Sequence, residues 1–121
     1  MENIDRFILL TDLSARIMYH QMCTITLYNG EQYQAELTDG IFNQLLHGHI
    51  AEIKPHLVPY NKMPKDLNDQ IFNTMCDKEK HITTRLSMIT NLLHKHHIDY
   101  NGLIFKNIAI EVPYSAPQYK K

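Results

Sequence analysis

The side chains that most resemble a metal site are clustered in the sequence His94-Lys95-His96-His97. On a helix, the spacing of His94 and His97 would place both rings on one face, and Asp99 could add a carboxylate as a third ligand. The same residues also suit the last turn of a helix, where His and Lys interact favourably with free carbonyls and with the helix dipole. Because the separated Cys and His pairs of known zinc sites are missing, we favour helix-end packing and keep the metal site as the alternative.

Nucleophilic catalysis would need a thiol activated by a histidine or by a helix N-terminus. Cys23 falls on the apolar side of a predicted strand, and Cys76 falls near a predicted helix C-terminus, so we expect both thiols to be inert. The sequence has no glycine-rich phosphate loop, no serine-hydrolase elbow and no paired-carboxylate signature. It therefore predicts neither an enzyme nor a bound cofactor.

The charges are balanced, with 12 Lys and Arg against 13 Asp and Glu and a net charge of −1 at pH 7. Such a chain has no global field that would attract nucleic acid or an anionic membrane. Basic and acidic residues are interleaved, which is typical of a mixed solvated face. Nucleic-acid binding stays open as an alternative, since an exposed Tyr19 or Tyr28 could stack on bases.

Length and composition indicate one domain, because 121 residues that are 44% hydrophobic can bury one core. The two cysteines form no Cys-x-x-Cys pair, and reduced thiols fit the cytoplasm best. The short apolar run Phe7-Ile8-Leu9-Leu10 follows acidic residues and resembles neither a signal peptide nor a membrane span. We therefore expect a cytoplasmic protein without a membrane partner.

The elements that would position these groups include a β-hairpin over residues 22–38, where apolar and polar side chains alternate. A two-residue turn at Asn29-Gly30 would mix the two kinds of side chain on one face. A three-residue loop over 28–30, with Gly30 left-handed, instead pairs Ile25 with Tyr33 and aligns the apolar faces. The sequence predicts this second register.

The segments around the hairpin are less regular. Run 7–10 could be a strand or could lead into a helix, and Asp12 could cap a helix of at most about two turns. Segment 41–46 would suit a helix, but the turn signals Asp39-Gly40 and His47-Gly48 on either side favour a strand. The sequence therefore predicts an antiparallel meander of about four strands over 21–53, which could curl toward a barrel.

Prolines dominate the segment 54–63, which cannot be helical because proline lacks an N–H and makes the preceding residue extended. Its apolar residues indicate a strap of extended chain that lies on the core and joins the two halves. Together with the sheet edges, the strap offers backbone groups and side chains that a partner protein or a second copy could complete. The candidate partner-binding residues are Lys54, His56, Tyr60 and Lys62.

A helical hairpin is predicted over 64–97, with a first helix that ends near Cys76 and a second that ends near His97. The apolar stripe of the second helix consists of Ile82, Leu86, Ile89 and Leu93. Residues 98–112 are apolar enough to dock, with a helical turn at 103–106 and an extended piece that could add to the sheet. Residues 113–121 are expected to form a frayed tail.

Three motifs follow one another along the chain. They are Asp12-Leu13-Ser14-Ala15-Arg16, then Lys54-Pro55 followed by Pro59, and then the run from His96 to Ile104. They resemble the pattern Asp-Leu-Ser-Ala-Arg, Lys-Pro-aromatic-Leu-x-Pro and His-His-Phe-Asp-Tyr-Arg-Gly-Leu-Ile. This pattern is that of a family of small uncharacterised bacterial proteins associated with prophages and other mobile elements. The departures are His56 for the aromatic residue, Pro64 for a capping Thr or Ser, and Asn101 for the Arg. The resemblance implies a small single domain from a mobile element and brings no activity.

Together these observations predict an α+β protein with a small antiparallel sheet packed against a helical hairpin, in one domain over 1–112. The expected function is that of a mobile-element-associated accessory protein, a non-catalytic module that binds a protein partner or itself. A nucleic-acid-binding module is the alternative. A metal site at His94, His97 and Asp99 is the lesser one.

Overall fold

The computed structural model describes residues 3–115 and confirms the α+β class. The elements of this part of the chain are α1 (Asn3–Arg16), β1 (Met22–Thr26), β2 (Gln32–Glu36), α2 (Asp39–Leu46), β3 (Glu52–Pro59), α3 (Lys65–Met75), α4 (Ile82–Lys95), β4 (Ile98–Asp99) and β5 (Ile110–Glu111). Single 3₁₀ turns at Ile17–Tyr19 and Tyr60–Lys62 follow α1 and β3.

The sheet has the strand order β2-β1-β3-β4, and β5 also pairs with β3. β1 is antiparallel to both β2 and β3, whereas the short β4 and β5 pair with β3 in parallel. The expected antiparallel sheet is therefore confirmed for its three long strands and corrected for its two short ones. Because β2 stands at one end of this order, the sheet is open, and it does not curl into the barrel that the sequence allowed.

The hairpin between β1 and β2 has the predicted register, with Ile25 opposite Tyr33. The N–H of Leu27 donates to the carbonyl of Glu31 at 2.9 Å, which closes the three-residue loop. Gly30 has a φ of 90°, the left-handed conformation that the loop requires.

Two segments are helical where the sequence left the choice open or favoured a strand. α1 spans 14 residues, so run 7–10 is part of a helix longer than the expected two turns. α2 occupies segment 41–46, where a strand was predicted, and the meander over 21–53 is therefore wrong at this point. The hydroxyl of Thr38 accepts the N–H of Ile41 at 3.2 Å, and this N-cap starts the helix directly after β2.

Segment 54–63 was predicted to be an extended strap that lies on the core. Its Leu57 and Val58 are buried as predicted, but they belong to β3, a central strand of the sheet. Pro55 lies opposite Cys23 of β1. The backbone groups of Cys23 point to β2 in the hairpin ladder, so Pro55 sits at a non-hydrogen-bonded position relative to β1. Its missing N–H therefore removes no bond between β1 and β3, which explains why this strand tolerates proline.

β3 has side chains buried on both faces of the sheet. Leu57 packs in a cluster with α1, α2 and β1, whereas Val58 packs in a second cluster with α3 and α4. Adjacent strand residues point to opposite faces, so these clusters lie on opposite sides of the sheet. β3 is consequently the element that both clusters share, while Tyr60, just after it, is 59% exposed.

The helical hairpin and the C-terminal segment follow the prediction closely. Ile89 and Leu93 of α4 are buried, but Ile82 and Leu86 of the same predicted stripe are exposed. Residues 103–106 form a turn, and β5 adds to the sheet. In the segment predicted to be frayed, the Tyr114 ring stacks on His96 with centroids 5.8 Å apart, and residues 116–121 lie outside the described part of the chain.

Candidate functional site

A buried ion pair joins α1 to the segment that contains β4. Arg16 donates from Nε to Asp12 Oδ2 at 2.8 Å and from Nη2 to Asp12 Oδ1 at 3.2 Å, and both side chains are 0% exposed. Nη2 of Arg16 also donates to the carbonyl oxygen of Ile98 at 2.6 Å. The guanidinium carbon lies 5.5 Å from the centre of the Tyr100 ring. This pair therefore holds together two segments that are far apart in the sequence.

Asp12 and Arg16 were not predicted to interact with each other. The available signal was their i, i+4 spacing on the helix face that also carries the buried Leu9 and Leu13. Asn101 completes the carboxylate site by donating from Nδ2 to Asp12 Oδ1 at 3.0 Å. The first and third motifs of the family resemblance thus meet in the interior.

His94 lies against the same ion pair, between two tyrosine rings. Its Nε2 is 2.6 Å from the Tyr100 hydroxyl, and its ring centre is 6.0 Å from that of Tyr19. Burial lowers the pKa of His94, and the positive charge of Arg16 lowers this pKa further. Burial also raises the pKa of Tyr100. At neutral pH both groups are therefore uncharged partners in a hydrogen bond.

His97 follows α4 in a left-handed conformation, with a φ of 60°. Its Nδ1 lies 3.1 Å from Gln21 Oε1, and Nε2 of Gln21 donates to the carbonyl oxygen of His56 at 2.9 Å. Burial lowers the pKa of His97 to about 3, and electrostatic interactions with Arg16, His96 and His20 contribute in the same direction. The neutral imidazole can then donate from Nδ1 to the Gln21 carbonyl oxygen.

Asp99, the third candidate ligand, caps a turn. Its carboxylate accepts the backbone N–H groups of Asn101, Leu103 and Ile104, at 3.3, 3.0 and 2.9 Å. Within residues 3–115, no three His, Cys, Asp or Glu side chains are close enough to hold a metal ion together. The structure thus gives His94, His97 and Asp99 separate protein partners rather than bringing them together as ligands.

The four candidate partner-binding residues do not form one surface. His56 is 2% exposed, its Nε2 lies 2.7 Å from Thr24 Oγ1, and burial lowers its pKa. Lys54 is half-buried and lies 3.9 Å from the carboxylate of Glu52. Tyr60 and Lys62 are exposed beyond the end of β3, where Lys62 binds Glu111 at 3.2 Å. A partner could reach Tyr60 and Lys62 but not His56.

The described thiols and the open groove on α3 show no catalytic arrangement. Cys23 is buried, and burial raises the pKa of its thiol to about 12, while Cys76 is free and exposed. The groove has a volume of about 450 Å³ and contains neither His nor Cys. It is lined by Asp66, Asp69, Gln70, Asn73, Thr74 and Asp77. The Thr74 hydroxyl donates to the Gln70 carbonyl oxygen at 2.8 Å, so it is not paired with a base.

The outer edge of β2 carries backbone groups without a strand partner in the described part of the chain. The N–H of Leu37 donates to the carbonyl oxygen of Gln21 at 2.7 Å, and the N–H of Leu27 donates to that of Glu31. These two bonds show which residue pairs of the hairpin are hydrogen-bonded. These pairs alternate with non-hydrogen-bonded ones along an antiparallel ladder. The N–H and C=O groups of Gln32, Gln34 and Glu36 therefore point away from β1, and all three residues are exposed. The edge can accept an extended strand.

A comparison of the chain with protein-family models, with curated proteins and with solved structures finds no match. No helix within residues 3–115 combines the length and apolar character needed to cross a membrane. Fold and surface define a small α+β protein with a buried polar network and an open sheet edge at β2. Its function is inferred from these features.

Proposed function

We propose that this protein is a non-catalytic accessory protein that acts through protein contacts, with another protein or with a second copy of itself, and that the contact is the outer edge of β2. The observation that carries the proposal is the row of outward backbone groups at Gln32, Gln34 and Glu36. An extended segment that adds to a sheet edge gains main-chain hydrogen bonds along its whole length. The partner is therefore a protein segment in a strand conformation.

The sequence of β2 supports this role because it lacks several of the features that block exposed edges, and its one charged residue is Glu36 at the end of the strand. Natural edge strands are often protected by Lys, Pro or a β-bulge. β2 contains neither Lys nor Pro, and it pairs residue for residue with β1 from Gln32 to Glu36. A second strand could follow the same regular path on its outer side.

The non-catalytic part of the proposal is supported by the use of the buried polar groups. The Asp12–Arg16 pair, the His94–Tyr100 pair and the Asp99 carboxylate all bond to other parts of the chain. These contacts are made within the chain, and apart from the partly exposed Tyr100 the side chains are buried. Such groups stabilise the fold, and the exposed surface is left for binding.

A protein partner is favoured over nucleic acid by the net charge of −1 and by the ion pairs of three lysines. Lys62, Lys80 and Lys106 each lie within 3.2 Å of a carboxylate oxygen. A nucleic-acid surface needs unneutralised cations that can replace phosphate counterions. The resemblance to a prophage-associated family supports a mobile element as the setting, and the cytoplasm as its location is part of the same proposal.

The test is capture from the native cell with the wild type and with two variants at one position. Gln34→Pro removes an outward N–H without removing a bond to β1, whereas Gln34→Ala keeps that N–H and serves as the matched control. We expect Gln34→Pro to lose the captured protein and Gln34→Ala to retain it, both before and after nuclease treatment. Thermal unfolding of both variants checks that the fold is kept. Equal capture by both folded variants, or release of the partner by nuclease, would contradict the proposal.

A further inference from the structure

We infer that the strand accepted by the β2 edge is β2 of a second copy of this chain, paired antiparallel across a two-fold axis at Gln34. This inference rests on the proposed function of the edge and names its partner. The resulting dimer would join two open sheets into one continuous sheet. The backbone register of β2 and the side chains that this register brings together both favour the pairing.

The register follows from which backbone groups point outward. With the axis at Gln34, this residue lies opposite itself, and Gln32 lies opposite Glu36 of the second copy. All outward groups of Gln32, Gln34 and Glu36 then find partners within β2. Moving the axis to Tyr33 would place Glu36 opposite the loop residue Gly30 of the second copy.

An axis at Ala35 fails in the corresponding way at the other end of the strand. It would place Gln32 opposite Thr38 of the second copy, and Thr38 is the N-cap of α2 rather than a strand residue. Registers that pair outward residues with Tyr33 or Ala35 fail for another reason, since the backbone groups of these two residues already bond to β1. The axis at Gln34 is the arrangement that uses the whole strand.

The side chains are complementary in this register. Gln32 meets the carboxylate of Glu36 from the second copy, so an amide donor faces an acceptor and no like charges are opposed. Glu36 contacts His20 through Oε1, which leaves Oε2 for the incoming amide. Nε2 of Gln32 donates one N–H to Thr26 Oγ1 at 3.2 Å, which leaves its second N–H for this contact. On the other face, Tyr33, which is 42% exposed, meets the small Ala35. The two-fold axis repeats each of these pairs.

The expected dimer is weak because one short strand forms the contact. Stable protein interfaces bury about 1,200–2,000 Å² in total, and a single edge contact falls at or below this range. We expect a Kd of about 10 μM or weaker. Sedimentation equilibrium and NMR relaxation, at chain concentrations up to about 1 mM, cover this range.

Two lysine substitutions in β2 test the register with opposite expected signs. Gln34→Lys places two lysines opposite each other at the axis, and we expect the Kd to rise about fivefold. Gln32→Lys places each lysine opposite a Glu36 carboxylate, and we expect the Kd to fall about fivefold. Both variants change the net charge equally, so a general effect of charge would move both Kd values in the same direction. Shifts of equal sign, or a monomer at about 1 mM in the wild type and in Gln32→Lys, would overturn the inference.

The two proposals can fail separately. If the wild type is monomeric at about 1 mM while Gln34→Pro still loses a cellular partner, the edge binds a different protein and the second copy is the wrong partner. If the Kd values follow the lysine pattern while Gln34→Pro captures as well as the wild type, self-association stands and binding of other proteins through this edge is wrong.

Discussion

Arg16 lies fully buried beside Asp12, and its charge affects most of the polar groups around it. Removing one member of such a buried pair typically costs about 3–5 kcal/mol, because the other charge loses its compensation. Nη1 of Arg16 is buried and has no hydrogen-bond partner among residues 3–115, so within this part of the chain the site is not fully satisfied. Its cost is offset by the bonds that Arg16 makes to Asp12 and Ile98. The same positive charge helps to keep His94 and His97 neutral.

His97 should make the stability of the protein depend on pH. The pKa of His97 falls from 6.5 to about 3 on folding. Above pH 6.5 the imidazole is neutral in both the folded and the unfolded chain, so there His97 does not reduce the free energy of unfolding. As the pH falls through this interval, the unfolded chain binds a proton that the folded chain excludes, and stability is lost. Asn tolerates the left-handed φ at this position. We expect His97→Asn to make the pH dependence of the free energy of unfolding shallower, by up to about 1.4 kcal/mol per pH unit.

Urea unfolding between pH 7 and pH 4 measures this slope for the wild type and for His97→Asn. The control is His49→Asn, which replaces an exposed imidazole and should keep the wild-type slope. An unchanged slope in His97→Asn would refute the assignment of this pH dependence to His97.

The hairpin and α2 are neighbours in the chain. They show how local sequence features determine whether a segment forms a strand or a helix. In the hairpin, side-chain alternation and a left-handed glycine specify the same register. Two glycine-containing turns suggested a strand at the position of α2. The segment is instead a helix that Thr38 caps and in which Leu45 is buried. The N-cap and the apolar contact outweigh the spacing of the turns.

The glycines of these two elements should respond in opposite ways to alanine. Gly30 has a φ of 90°, so Gly30→Ala is expected to destabilise by about 1–2 kcal/mol. Gly40 lies in α2, and an added Cβ would stand 3.8 Å from Thr38 Oγ1, which is an ordinary contact. Gly40→Ala is therefore expected to stabilise by about 0.5–1 kcal/mol. Urea midpoints measure both changes, and a loss of stability in both variants would argue against the assignment of α2.

At the scale of the whole molecule, β3 connects the two apolar clusters. Leu57 belongs to the cluster with α1 and α2, and Val58 belongs to the cluster with α3 and α4. β4 and β5 both pair with β3, so the C-terminal segment depends on this strand as well. A substitution on one face of β3 should therefore also reduce the stability of the cluster on the other face.

Leu57→Ala is expected to cost about 2–5 kcal/mol and Val58→Ala about 1–3 kcal/mol. Native-state hydrogen exchange should show weaker protection in both α1 and α4 for each variant, since the clusters share one strand. Phe72→Ala, at a mostly exposed residue, is the control and should stay within about 0.5 kcal/mol of the wild type. Protection lost only on the side of the substituted residue would show that the two clusters unfold independently.

The candidate site was less predictable than the fold. Asp12 and Arg16 were not expected to pair, and the histidines proposed as ligands instead bond to Tyr100 and Gln21. Sequence spacing specifies neighbours within one helix, but these partners come from segments that are distant in the chain. The exposed edge of β2 could be anticipated only in general terms, because a strand becomes an edge when no other strand covers it.

The sequence by itself determined the features that depend on neighbours in the chain. These are the hairpin register, the bounds of α3 and α4, the turn at 103–106 and the α+β class. Only the tertiary structure decided that 54–63 contains a central strand, since proline forbids a helix but not a strand whose missing N–H faces away from β1. It also decided which polar side chains are buried together, because burial depends on segments that the folded chain brings close in space.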